Sequence, residues 1–277
     1  MLVTLRCWVG APFRLRNGVA VALALGRVKL MYPWVGPRLL ASHYLVFPGD
    51  WRTMTDSARE LVEKIRRDLA PDEGANRLVP LIEKGHAKLR TIASLAGEET
   101  HIVTSDWRSF LTLAAKAQET TARGFLSALA QGESLALPQL TPLAAAAGMD
   151  ETALRAYEPQ AGCQGYPAYI AWLALNGEPT DVILAILANF EAWGQYCAKI
   201  AAALREHYGF DDTACGFFDF FATPVPEMEA QAIAGIQAAL DNGWRPVHAW
   251  RYGRLLQDYE LMFWNTLADQ ADAGAHA

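Results

Sequence analysis

The chain has 277 residues, 52% of them hydrophobic and 19% charged, with a net charge of −6. That length and apolar content suit one large domain or two small ones with a sizeable core. The acidic balance, with no basic patch, argues against a nucleic-acid footprint. No apolar run reaches the roughly 18–20 residues that span a bilayer.

Taken in order, the first 53 residues stand apart, rich in Arg, Val, Trp and Pro and without a sustained helical period. The stretch NGVAVALALG (Asn17 to Gly26) only faintly resembles a signal peptide, because Arg27 and Lys29 follow at once and no cleavage site is evident. Met54 opens MTDSARELVEKIRRDLA like an ordinary protein start, with Thr55/Asp56 as a helix cap. Residues 1–53 are therefore expected to be an extension, from a mis-called start, that adds little to a domain spanning 54–277. Beyond Met54 the patterning predicts helices over 56–69, 75–84, 86–104, 106–117, 120–132, 139–147, 151–157, 163–176, 180–208, 212–222, 226–242 and 246–270. Asp150 precedes one helix, Gly177 stops another, and Thr180 is the expected cap of the next. Pro224 and Pro226, then Gly243 and Pro246, break the later ones. No alternating strand or internal repeat emerges, so the expected fold is an all-α bundle around one core.

A helix turns about 100° per residue, so facing can be read from spacing. In LLQDYELMFWNTLAD the residues Arg254, Asp258, Asn265 and Asp269 form a polar stripe, while Glu260 shares its side with Leu256, Phe263, Trp264 and Leu267. Glu260 is thus predicted to face inward. In the helix 86–104, Leu89, Ile92, Ala96, Glu99 and Val103 follow the spacing of a packed seam, which turns Glu99 inward too. Glu98 falls with Thr91, Ser94 and His101 and is expected in water. Along 180–208 the polar face holds Asp181, Glu191, Gln195, Lys199 and Glu206, from which Asn189, Trp193 and Tyr196 turn away. Tyr166, Ile170 and Leu173 share a side. An unpaired buried carboxylate costs several kcal/mol, so two inward glutamates need partners, shifted pKa values or a wet pocket. With Asn189 and Tyr166 alongside, a polar pocket accounts for all of them at once.

The segment CQGYPAYIAWLALNGEPTDVILAILANFEAWGQYCAKIAAAL, followed by LLQDYELMFWNTLAD, resembles the TenA family, which includes aminopyrimidine hydrolases of the thiaminase II type. The resemblance covers roughly 75–270. Its main motifs are Glu260-x-x-Phe263-Trp264 and Tyr166-x-x-Tyr169. It implies the haem oxygenase-like all-α fold without haem or any other cofactor, a homo-oligomer (dimer or tetramer), and a cytoplasmic enzyme or binding protein for a small molecule, with no nucleic-acid or membrane partner. It places the catalytic glutamate on Glu260, the pocket tyrosine on Tyr166, and the amine-holding carboxylate on Glu99, with Glu98 as an offset. Asn189 falls where the nucleophilic cysteine is usual, Trp193 and Phe221 where tyrosines are usual. An amide is no nucleophile, so the implied chemistry rests on carboxylates.

These readings give Glu260 as general acid or base and Glu99 as the partner of an exocyclic amine. Tyr166 and Asn189 orient ring and water, while Trp193 and Phe221 stack on the ring faces beside Phe263. Two alternatives stand beside a carboxylate-based C–N hydrolase. One is a ligand-binding protein without turnover. The other is a di-iron oxidase using Glu83/His86 or Glu98/His101, although both pairs are expected at the surface. Cys7, Cys163, Cys197 and Cys215 form no CxxC pair and are expected to be buried thiols.

Overall fold

The computed structural model describes residues 57–72 and 74–273. The predicted extension over 1–53 and the Thr55/Asp56 cap lie outside them. Every regular element described is helical: α1 (Ala58–Asp68), α2 (Leu78–Glu83), α3 (Leu89–Lys116), α4 (Thr120–Ala136), α5 (Leu140–Ala146), α6 (Glu151–Arg155), α7 (Ala161–Asn176), α8 (Pro179–Leu187), α9 (Phe190–Tyr208), α10 (Asp212–Ala222), α11 (Pro226–Asp241) and α12 (Ala249–Ala273). None of these helices is long and apolar enough to cross a membrane.

Local chemistry sets the helix ends. Ser57 caps α1 through a capping box: its hydroxyl accepts from the Glu60 amide at 3.3 Å, and the Glu60 carboxylate accepts from the Ser57 amide at 2.6 Å. Asp150 caps α6 as expected. The cap of α8 is Glu178 rather than Thr180; it accepts from the Asp181 amide at 2.9 Å and from the Thr180 hydroxyl at 3.2 Å. Gly209 ends α9 at φ 70°, a left-handed turn that glycine adopts without a Cβ clash.

In two places the continuity of the helices differs from the sequence reading. The helices predicted over 86–104 and 106–117 form one continuous α3, because nothing in Thr104-Ser105 breaks the ladder. The predicted helix 180–208 is two helices, broken at Ala188-Asn189 although no Gly or Pro stands there. The Asn189 amide bonds back to Ile186 O at 3.0 Å, and α9 restarts with Trp193 N donating to Asn189 O at 3.1 Å. The chain changes partners at this break. Buried side chains of α8 pack with α1, α4, α11 and the first half of α12, whereas Cys197 to Leu204 of α9 pack with α2, α5 and α10.

The expected single core is accordingly two apolar clusters, and α3 and α12 contribute to both. Tyr166 of α7 packs against each. The outward stripe of α12 behaves as read, with Arg254 and Asp258 ion-paired at 2.8 Å. Leu89, placed on the packed seam, lies at the exposed start of α3. Asp181, placed on the polar face, is buried and accepts from the amides of Val247 at 3.1 Å and His248 at 3.3 Å, tying α8 to the start of α12.

Candidate functional site: a carboxyl-lined cavity between two cores

A cavity of about 780 Å³ lies where the two apolar clusters meet. Glu99, Tyr166, Asn189, Trp193, Phe221, Glu260 and Phe263 all line it, so the residues singled out in the sequence converge. They come from different helices: α3 gives Glu99, α7 gives Tyr166, α9 gives Trp193, α10 gives Phe221, and α12 gives Glu260 and Phe263. Asn189 sits at the α8–α9 break, whose kink points its amide across to α12.

Glu260 is 7% exposed, and both its oxygens are held. The Trp264 indole N–H, one turn on, donates to Oε1 at 3.0 Å, and the Asn189 amide donates to Oε2. Each oxygen has a second lone pair, so the carboxylate can still accept from a ligand or water. Burial pushes the Glu260 carboxyl above its ordinary range, and the two donors pull against that rise.

Glu99 is 2% exposed. Burial pushes its carboxyl well above the usual range, and the charges on Asp106, Glu260 and Glu98 add to this. Burial and the carboxyl charges of Asp106, Glu260, Glu133 and Glu99 likewise hold the Tyr166 phenol up.

Four further carboxyls line the cavity: Glu229, which pairs with Arg66, the exposed Glu191, and two that the sequence reading missed, Asp106 and Glu133. Asp106 is 4% exposed, and its Oδ1 is buried without a hydrogen-bond partner. Burial raises both groups, and the charges on Asp106 and Glu99 raise Glu133 further. The signal for both was present. Asp106 follows Glu99 by seven residues, which returns it to the same face of a continuous helix. Glu133 follows Leu126, Leu129 and Ala130 along the buried side of α4, one residue beyond the predicted end of that helix.

Glu98 is not solvated; it is fully buried. The carboxylate accepts from the Tyr157 hydroxyl at 3.0 Å, the Gln160 amide at 2.7 Å and the Gln164 side chain at 2.8 Å. It thereby fixes the start of α7, the helix that carries Tyr166. It does not line the cavity, so it is no substitute for Glu99. Tyr157 closes down because residue 97 is glycine: a Cβ there would lie 2.5 Å from the ring.

Trp193 and Phe221 lie 5.8 Å apart at 73°, making a corner rather than two parallel plates. A flat ring can lie on one of them and meets the edge of the other, so the pair is not arranged as two parallel faces for the expected stacking. Trp193 also tilts against Trp264 at 5.7 Å, which links the corner to the Glu260 hydrogen bond. Burial and the charges of Glu99 and Glu260 hold the Cys197 thiol well up, and burial above all does the same for Cys163. Both thiols are fully buried and neither lines the cavity. Among the described residues no cluster of three or more His, Cys, Asp or Glu side chains is arranged to hold a metal, and no histidine lines the cavity. His86 and His101 are exposed, in line with the surface placement expected of them.

No protein-family model and no curated protein matches this chain. Solved structures do. A TenA family transcription regulator from Silicibacter sp. TM1040 superposes with a TM-score of 0.60 at 13% identity, over 75% of this chain and 96% of that one. A domain of unknown function with a heme oxygenase-like fold, from Shewanella denitrificans OS217, gives 0.56 at 12%, over 79% and 90%. A TenA homologue from P. horikoshii OT3 gives 0.54 at 15%, over 76% and 96%. The chain has the haem oxygenase-like helical fold. At such identities the likeness establishes architecture alone.

Proposed function

We propose that the cavity binds a small nitrogen heterocycle or amine, of the aminopyrimidine kind, and hydrolyses a C–N bond by carboxylate chemistry. The observation that carries this reading is Glu260: a buried carboxylate with donors on both oxygens, sharing a largely apolar cavity with Glu99, Asp106 and Glu133. Asn189 and Trp264 fix its position, so its remaining lone pairs are aimed before a ligand arrives. The ring lies in the corner of Trp193 and Phe221. The raised carboxyls of Asp106 and Glu99 donate to or accept from ring and amine nitrogens. Water adds to the ring carbon bearing the amine while its proton passes to Glu260. The C–N bond then breaks, and the amine leaves with a proton returned by a carboxylic acid of the cluster.

Glu260→Gln keeps the shape and removes the base. Release of ammonia from 4-aminopyrimidines is expected to fall at least about 100-fold, the low end for loss of a general base, with the circular dichroism spectrum unchanged. Wild-type turnover in that variant would remove the proposal. A binding protein without turnover is the second reading, favoured by the amide at position 189. Calorimetry that detects an aminopyrimidine where no product forms would select it.

A further inference from the structure

The carboxyls of the cavity are more numerous than a single amine needs. Glu99 and Asp106 share one face of α3, seven residues and about 10 Å apart along the axis. Helical side chains lean toward the N-terminus, so both lean the same way. Glu133 reaches in from α4, which follows α3 through a three-residue connection and so returns antiparallel to it. Glu260 faces the same space from α12. Arg66 is the one cation in the lining, and it is already engaged, with Glu229 at 3.0 Å and with Leu187 O at 3.2 Å. The buried, unpartnered Oδ1 of Asp106 has no protein donor at all. Buried carboxyls left this way either keep their protons or ionise against a cation brought from outside.

We infer that the ligand carries two separate protonated amino groups on one apolar body, an aryl or alkyl diamine, seated among Glu99, Asp106, Glu133 and Glu260. This rests on the cavity being the ligand site proposed above, and it narrows the class of ligand. The volume of about 780 Å³ falls in the range of roughly 300–1,000 Å³ typical of extended organic ligands. The aromatic corner suits the apolar body between the two charged ends. Because the carboxyls hold protons at their raised pKa values, a dication displaces them on entry, and affinity climbs as pH rises.

The test is calorimetric titration of the full chain with 1,4-bis(aminomethyl)benzene and with 4-methylbenzylamine, which keeps the ring and loses one ammonium. The diamine is expected to bind at least about tenfold tighter, the value of one charge-assisted hydrogen bond. That advantage is expected to shrink below about threefold in Asp106→Asn and in Glu133→Gln. Glu133 is only partly buried, so its amide variant serves if the Asp106 variant fails to fold. Equal affinity of the two amines, or an advantage that survives in Glu133→Gln, overturns the inference. A 4-aminopyrimidine titrated in parallel separates the two proposals. If it binds while the diamine shows no preference, the function stands and the dication reading fails. If no probe binds, both fall.

Discussion

Glu98 and Glu99 are neighbours in sequence and opposite in use. Glu99 faces the cavity, while Glu98 is spent on three donors at the start of α7. The helical period separated their directions correctly. It could not show that the side away from the seam was also covered, because the cover comes from Tyr157, Gln160 and Gln164, some sixty residues on. Sequence spacing reports which way a side chain points and not what waits there. A buried carboxylate with three donors is a stabilising unit, and removing it strands all three. Glu98→Ala is therefore expected to destabilise by about 3 kcal/mol, read as a lower urea midpoint at unchanged slope. Glu99→Ala removes an unfavourably buried group facing open space and is expected to cost less, or even to stabilise. A Glu98→Ala loss smaller than that of Glu99→Ala would reverse these roles.

Among the helices, existence and direction were legible, and continuity was not. Twelve helical segments were expected, and the helical character of each was right, yet α3 joined two of them and α8–α9 divided one. The joined case hid Asp106, since a helix stopped at 104 never carries its seam that far. The divided case has no breaker residue because tertiary packing makes the break. Asn189 is a modest helix former, and its amide is better used by Glu260 than by a straight helix. The end of α7 shows the same dependence on distant groups. Lys116, from the end of α3, donates to the carbonyls of Ala174 at 3.0 Å, Leu175 at 3.1 Å and Gly177 at 2.9 Å. One ammonium thus satisfies the negative end of α7 and holds it against α3. Lys116→Met keeps the stem and removes those bonds. It is expected to lower stability by about 1–2 kcal/mol, and to raise hydrogen exchange in the last turn of α7 before the rest of the molecule. Uniform loosening would show that the cap is not what secures that turn.

For the whole molecule, the cavity is a standing cost that the two apolar clusters offset. Each cluster is buried and apolar, and between them lie Glu99, Asp106, Glu133 and Glu260, all raised above their ordinary values of 3.8 for the aspartate and 4.5 for the glutamates. The sign follows from that direction. Groups raised by folding bind protons more tightly in the native state, so their contribution is fully present below the ordinary carboxylate range. It is lost as pH climbs through the raised values. Glu119 works the other way, being lowered by the amides of its helix start, but it is near the surface and a small counterweight. Without ligand, the midpoint of thermal unfolding is therefore expected to be highest at acid pH and to fall as pH rises above the ordinary carboxylate range. Asp106→Asn combined with Glu133→Gln removes two of the groups that must ionise inside, and is expected to flatten that slope while raising the midpoint at the alkaline end. A wild-type midpoint that rises steadily to pH 8, or a double variant that keeps the full slope, would mean that the carboxyls ionise without strain. The cavity would then be wet and open in solution.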